Sequence, residues 1–131
     1  VDAYITAEAL QILEALDALN PRRRRSGVLI GHKRGRRFIV ERILPAPANF
    51  DPKPAVLGRL DEIFAGKAVG FFSSGDLTRT RAGLRQPLAA GRLLLATESR
   101  RRARRVKAWA VDFDGRFRFI PIPVILEGEH P

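Results

Sequence analysis

Asp114-Gly115 stands between two stretches of alternating polarity, VKAWAVDF before it and RFRFIPIPVIL after it. Both turn residues tolerate the positive φ that tight hairpin turns demand, so the pair is the strongest short-range signal for an antiparallel hairpin. This commits the C-terminal part of the chain to β-structure. Pro121 and Pro123 remove two backbone donors, which makes the second strand an edge strand at its far end.

The remaining punctuation is consistent with that start. ITAEALQILEALDALNP carries Leu10, Ile12, Leu13, Leu16 and Leu19 at helical spacing, with Thr6 as N-cap and a stop at Asn20-Pro21. After a basic loop, SGVLIGHKRGRRFIVERIL reads as two strands around a Lys33-Arg34-Gly35 turn. A Pro-rich connection leads to a second helix, capped by Asp51 with Pro52 in its first turn, burying Val56, Leu57, Leu60, Ile63 and Phe64 and ending at Gly66. AVGFFSS is a short apolar strand, DLTRTRAGLRQPLAAG a loop with a helical turn or two, and RLLLAT another buried strand. The order is α-β-β-α-β-(α)-β-β-β, an α+β layout with no internal repeat. Leu10, Leu13, Leu16, Leu57, Leu60, Phe71 and Leu94 are expected to share one core.

A chain of 131 residues, 45% hydrophobic, suits one domain over 1–131. No apolar run is long enough to span a bilayer, and the N-terminus lacks the layout of a secretion signal, so a cytoplasmic protein without membrane partners is expected. The chain begins at Val1 and contains no methionine, which fits either a removed initiator or a piece of a longer protein. Without cysteine there is neither disulfide nor thiolate zinc site.

Charge is lopsided: 24 Lys+Arg against 14 Asp+Glu, a net +10 and a pI near 11.4. Such a balance attracts nucleic acid or acidic protein surfaces and says nothing of fold. Two runs concentrate it, Arg22, Arg23, Arg24 and Arg25 in one connection and Arg100, Arg101, Arg102, Arg104 and Arg105 in another. Either run can bind an anion such as a nucleic acid backbone, or be a solvated surface. Trp109, Phe117 and Phe119 alternate with basic residues, but as core members rather than as a stacking platform.

GFFSSGD, residues 70–76, is where a buried strand runs out into a polar loop. Together with the leading helix, SGVLIGHKRG, the second helix and the late RLLLAT and VKAWAVDFDGRFRFIPIPVIL, it resembles the JAMM/MPN family, also called Mov34/MPN/PAD-1, through almost the whole chain. The resemblance implies a cytidine-deaminase-like mixed β-sheet with two main helices packed against it. In that family the corresponding strand ends in Gly-Phe-(Tyr/Phe)-His-Ser-His-Pro, followed by Ser-x-x-Asp. The histidines and the aspartate hold a zinc ion, and an upstream glutamate serves as general base in hydrolysis of ubiquitin-like isopeptide bonds.

Catalytic zinc needs imidazole or carboxylate ligands and one position open to water. Here Ser73 and Gly75 stand where the histidines would be, Ser74 matches the intervening serine, Asp76 replaces the proline, and the base position falls at Arg24. No Ser-x-x-Asp follows. The resemblance therefore implies a degenerate member with no metal, cofactor or catalytic residue. Inactive members commonly scaffold or pair with other domains, which makes a protein partner or a homo-oligomer the expected role.

A serine nucleophile would need a base within reach, and the only histidines are His32 and His130, neither placed by sequence beside Ser73 or Ser74. The two serines read as turn residues, Asp76 as a cap for a turn beginning at Leu77, and Gly31 and Gly70 as points of close packing at strand ends. The alternatives to an interaction module are a basic nucleic-acid or polyanion binder and, third, a zinc isopeptidase or peptidase, which requires another register of the motif or ligands from another chain.

Overall fold

The computed structural model describes residues 1–19, 25–46, 52–74, 77–100 and 103–128. Its first element, β1 (Asp2–Ile5), is a strand absent from the expected order. The expected helix follows as α1 (Ala7–Leu19). Thr6 caps it as anticipated: its Oγ1 accepts from the Ala9 N–H at 3.2 Å and donates to the Glu41 carbonyl at 3.2 Å. The Asn20-Pro21 stop lies outside the described residues.

β2 (Ser26–Arg34) and β3 (Arg37–Ala46) form the first hairpin. Arg34 pairs with Arg37, so the two-residue turn is Gly35-Arg36, one step later than expected, with Gly35 at φ +61°. α2 (Pro54–Phe64) starts at Pro54, not around Pro52. Proline suits a first turn because its missing N–H would have no helical partner there. The Asp51 cap lies outside the described residues. Leu57 is fully buried, Leu60 and Phe64 partly, whereas Ile63 is 64% exposed, contrary to expectation. Ala65 and Gly66 end the helix in the left-handed region.

β4 (Ala68–Ser74) is the apolar strand anticipated. The stretch after it holds α3 (Thr78–Gly83) and a 3-10 turn (Pro87–Ala89). β5 (Leu93–Arg100) and β6 (Ala103–Phe113) make the second hairpin. The Asp114-Gly115 turn joins β6 to β7 (Phe117–Ile122), with Phe113 opposite Phe117 and Gly115 at φ +71°. Pro123 then separates β7 from β8 (Val124–Leu126).

All eight strands of the described residues belong to one sheet in the order β7-β6-β5-β4-β2-β3-β1-β8. It curls into a nearly closed, barrel-like form. β7 and β8 are consecutive in the chain yet lie at opposite edges, β7 antiparallel to β6 and β8 parallel to β1. The α+β fold of JAMM/MPN type, with two main helices on a mixed sheet, is therefore corrected: the chain is mostly β, with an eight-stranded, nearly closed sheet and three helices.

The single core expected is also corrected, to two. One cluster gathers Leu13, Leu29, Phe38, Phe72 and Leu95, with Leu10 and Leu16 of α1 partly buried against it. The other gathers Val28, Leu57, Phe71, Leu84 and Leu94, with Leu60 partly buried. Neighbours such as Phe71 and Phe72 serve different clusters because successive strand residues point to opposite faces. Gly31 and Gly70 mark close approach of backbones: a Cβ would fall 1.8 Å from the Ile39 carbonyl oxygen in the first case and 2.0 Å from that of Leu93 in the second.

Candidate functional site

The GFFSSGD lip is built into the sheet rather than open. Ser73 pairs with Ser26 of β2 and Ala96 of β5, and it is fully buried. Thr80 of α3 donates to the Ser73 Oγ at 3.4 Å. Ser74 is half-buried, and its backbone N–H donates to the Arg25 carbonyl at 2.8 Å. Its Oγ accepts from the Arg25 N–H at 2.8 Å. Both serines thus satisfy polar groups at a strand end, as turn serines do. Gly75 and Asp76 lie outside the described residues, as does Arg24.

His32 sits at the far end of β2, six residues from Ser26, which puts it roughly 20 Å along the strand from the serines. It cannot activate them. Its Nδ1 donates to the Glu41 Oε1 at 2.6 Å, with both side chains half-exposed. His130 lies outside the described residues. Among the described residues no group of three His, Cys, Asp or Glu is placed to hold a metal ion.

The arginine runs fare differently. Arg25 is bonded to Ser74 at the end of β4, and Arg22, Arg23 and Arg24 directly precede it in the sequence but lie outside the described residues. Ser74 is aligned with Thr97 of β5. Three residues further on, Arg100 closes β5 opposite Ala103, and Arg104 and Arg105 follow in β6 opposite Ser99 and Glu98. Arg101 and Arg102, between Arg100 and Ala103 in the sequence, lie outside the described residues. The described members of the two runs, Arg25 and Arg100, Arg104 and Arg105, therefore stand at one end of the sheet, a juxtaposition that sequence reading left undecided. The register that creates it joins residues about fifty apart, so no local signal could have revealed it.

Two of the clefts in the described surface bear on the site. At the His32 end, about 540 Å³ is lined by Gly31, His32, Lys33, Lys67, Leu88 and Arg92. Arg92 is consumed structurally there: its Nη2 holds both Asp61 oxygens at 2.8 and 2.6 Å, Nε donates to the Leu88 carbonyl and Nη1 to that of Ala68. The cleft offers positive charge and no hydroxyl or thiol nucleophile. The second, about 390 Å³ and apolar, lies along β6 and β7. Trp109, Phe117 and Phe119 are partly buried against the second core cluster, with the Arg81 guanidinium 5.0 Å from the Trp109 ring and 5.4 Å from that of Phe119. This agrees with their reading as packing residues.

No helix among the described residues is long and apolar enough to cross a membrane. No family model and no curated protein matches the chain. The solution structure of protein DSY2949 from Desulfitobacterium hafniense is similar to it with a TM-score of 0.67 and 14% identity, covering 97% of this chain and 94% of that one. At that identity the likeness concerns the fold alone.

Proposed function

We propose that this domain is a protein-interaction module that engages an acidic partner protein through the arginine-bearing end of its sheet. The observation that carries the reading is that Arg25 of one run and Arg100, Arg104 and Arg105 of the other stand at that end, through the Arg25 to Ser74 bonds and the β4, β5 and β6 register. Guanidinium groups pair bidentately with carboxylates and lose little order in doing so. The serines of the lip support a role without hydrolysis, since one is buried, the other is bonded to Arg25, and His32 is at the opposite end of the strand.

A nucleic-acid reading competes for the same charge. It gains little from α3, which spans only six residues, and Trp109, Phe117 and Phe119 are partly buried against the second core cluster. Binding of a fluorescent polyglutamate peptide and of a random DNA duplex, each across a salt series, tests the proposal. Arg101, Arg102 and Arg104 changed to Gln should weaken peptide binding, and a matched loss of charge at the other end, Arg34, Arg36 and Lys67 to Gln, should leave it nearly intact. Equal losses for the two variants would reduce the effect to net charge and sink the reading. Duplex binding with a log–log salt slope of about −0.9 per phosphate, and no peptide binding, would replace it with the nucleic-acid one.

A further inference from the structure

The turn end of the first hairpin runs on past β4. β4 pairs with β2 as far as Ile30, opposite Ala68, whereas β2 continues with β3 to the Arg34 to Arg37 pair. Both ladders slip at Ile30, between Leu29 and Ile30 against β4 and between Ile30 and Gly31 against β3. A bulge bends its strand and re-aims the side chains beside it, which is why bulges gather near binding and active sites. The residues just beyond this one, Gly31, His32 and Lys33, line the cleft of about 540 Å³ together with Lys67, Leu88 and Arg92. Its volume lies within the range of small-molecule sites, about 300–1,000 Å³.

Most of the charge in this cleft is matched. Arg92 and Asp61 neutralise each other, and His32 is engaged with Glu41. Lys33 and Lys67 are the surplus: among the described residues no carboxylate pairs with either. Lys33 Nζ stands 4.9 Å from the centroid of the Phe38 ring, which also lines the cleft. The Gly31 N–H donates to the Lys67 carbonyl, and Lys33 lies two residues along β2 on the same face, which brings both ammonium groups to one place. Two like charges at one concavity focus a positive potential that an anion relieves. The N–H groups of Gly31, Lys67 and Gly91 already donate to carbonyls, so side chains rather than backbone must hold that anion. Lysine acts on phosphate as a compact point charge, and a phosphate monoester carries about −1.5 to −2 near neutral pH, which matches two lysines. Leu88 adds an apolar contact. It is 45% exposed although its segment is tied down, its carbonyl by Arg92 Nε and the preceding Gln86 by the Pro52 and Gly83 carbonyls.

We propose that this cleft binds a small phosphate monoester with an apolar body, its phosphate held by Lys33 and Lys67 and its apolar part against Leu88. The site stands at the opposite end of β2 from Ser26 and the Arg25 to Ser74 bonds, so it is distinct from the interaction surface proposed above. The probe is phenyl phosphate, with benzoate and inorganic phosphate for comparison, each titrated at low salt while the amide resonances of the protein are followed. Phenyl phosphate should move the amides of Gly31, Lys33, Lys67 and Leu88 and bind about fivefold or more tightly than either comparison, since only it offers both the charge and the apolar body.

Lys33→Gln and Lys67→Gln should each weaken phenyl phosphate by about threefold or more, whereas Lys53→Gln, an equal loss of charge before the first turn of α2, should leave it nearly unchanged. Leu88→Ser should weaken phenyl phosphate and spare inorganic phosphate. Equal losses for all three lysine variants would reduce the effect to net charge and overturn the site. Benzoate binding as tightly as phenyl phosphate would overturn the phosphate assignment. Lysine variants that lower the urea midpoint while binding phenyl phosphate as the parent does would assign both side chains to stability alone and overturn the proposal, as would amide shifts confined to Arg25 and Ser74.

Discussion

The Asp61 to Arg92 pair ties α2 to the start of β5, and its removal should be felt globally. Arg92 is 13% exposed and Asp61 36%, so the pair is neither a free surface bridge nor a fully buried one. Exposed pairs contribute about 0–1 kcal/mol, and breaking a buried one costs about 3–5. Asp61→Ala removes both acceptors of Arg92 Nη2 and leaves a largely enclosed guanidinium without its counter-ion. A loss of about 2–3 kcal/mol follows from charge-assisted bonds at this intermediate exposure. Arg92→Met should cost more, because the Leu88 and Ala68 carbonyls lose a donor as well. In the double variant the losses should fall short of their sum by about 1–2 kcal/mol, the coupling expected of neighbours. Urea unfolding at neutral pH, with the single and double variants compared in one cycle, measures it. A coupling below about 0.5 kcal/mol would place the pair with ordinary surface bridges and refute the reasoning.

Gly70→Ala should destabilise at or above the upper end of the usual overpacking range of about 1–3 kcal/mol, because the added Cβ meets the Leu93 carbonyl 2.0 Å away, on backbone that cannot rotate aside. A variant with an unchanged urea midpoint would show that β4 and β5 are not in this register. Leu57→Ala should cost about 2–5 kcal/mol and Leu60→Ala clearly less, since only Leu57 is fully buried; the reverse ranking would mean that α2 is rotated. Hydrogen bonding from Arg37, at 2.8 and 3.0 Å, holds the Asp2 carboxyl below its ordinary value. A depressed folded pKa gives stability that is present above the unfolded pKa of about 3.9 and is lost as pH falls through the folded value. Asp2→Asn should therefore be modestly less stable than the parent at neutral pH, with the gap closing in acid, and a gap independent of pH would refute the assignment.

What was legible in the sequence was local. Asp114-Gly115 announced its hairpin because two residues suffice to make the turn, and Thr6 announced α1 because a cap acts within one helical turn. β1 and β8 were illegible for the converse reason. Four residues, DAYI, and three, VIL, carry too little pattern, and their partners lie far off in sequence: Ala3 pairs with Phe38 on one side and Val124 on the other. Missing those two strands turned a nearly closed eight-stranded sheet into an α+β expectation. The division of the core was hidden similarly, since alternation tells that residues face opposite ways but not which helix covers each face.

The lip illustrates how a local signal misleads. Two serines, a glycine and an acid after a buried strand have the composition of a reactive loop, but reactivity depends on what stands beside them. Pairing of β4 with both β2 and β5 buries Ser73, and the chain entering β2 occupies Ser74. The proline signal runs the other way. Pro121 and Pro123 were readable as the mark of an edge, and the ladder does stop at Pro123. Where β7 stops pairing, β6 continues for five more residues toward the arginine hairpin. A residue type that ends one ladder thereby decides where the strands part, β7 keeping to β6 while β8 crosses to the far edge beside β1.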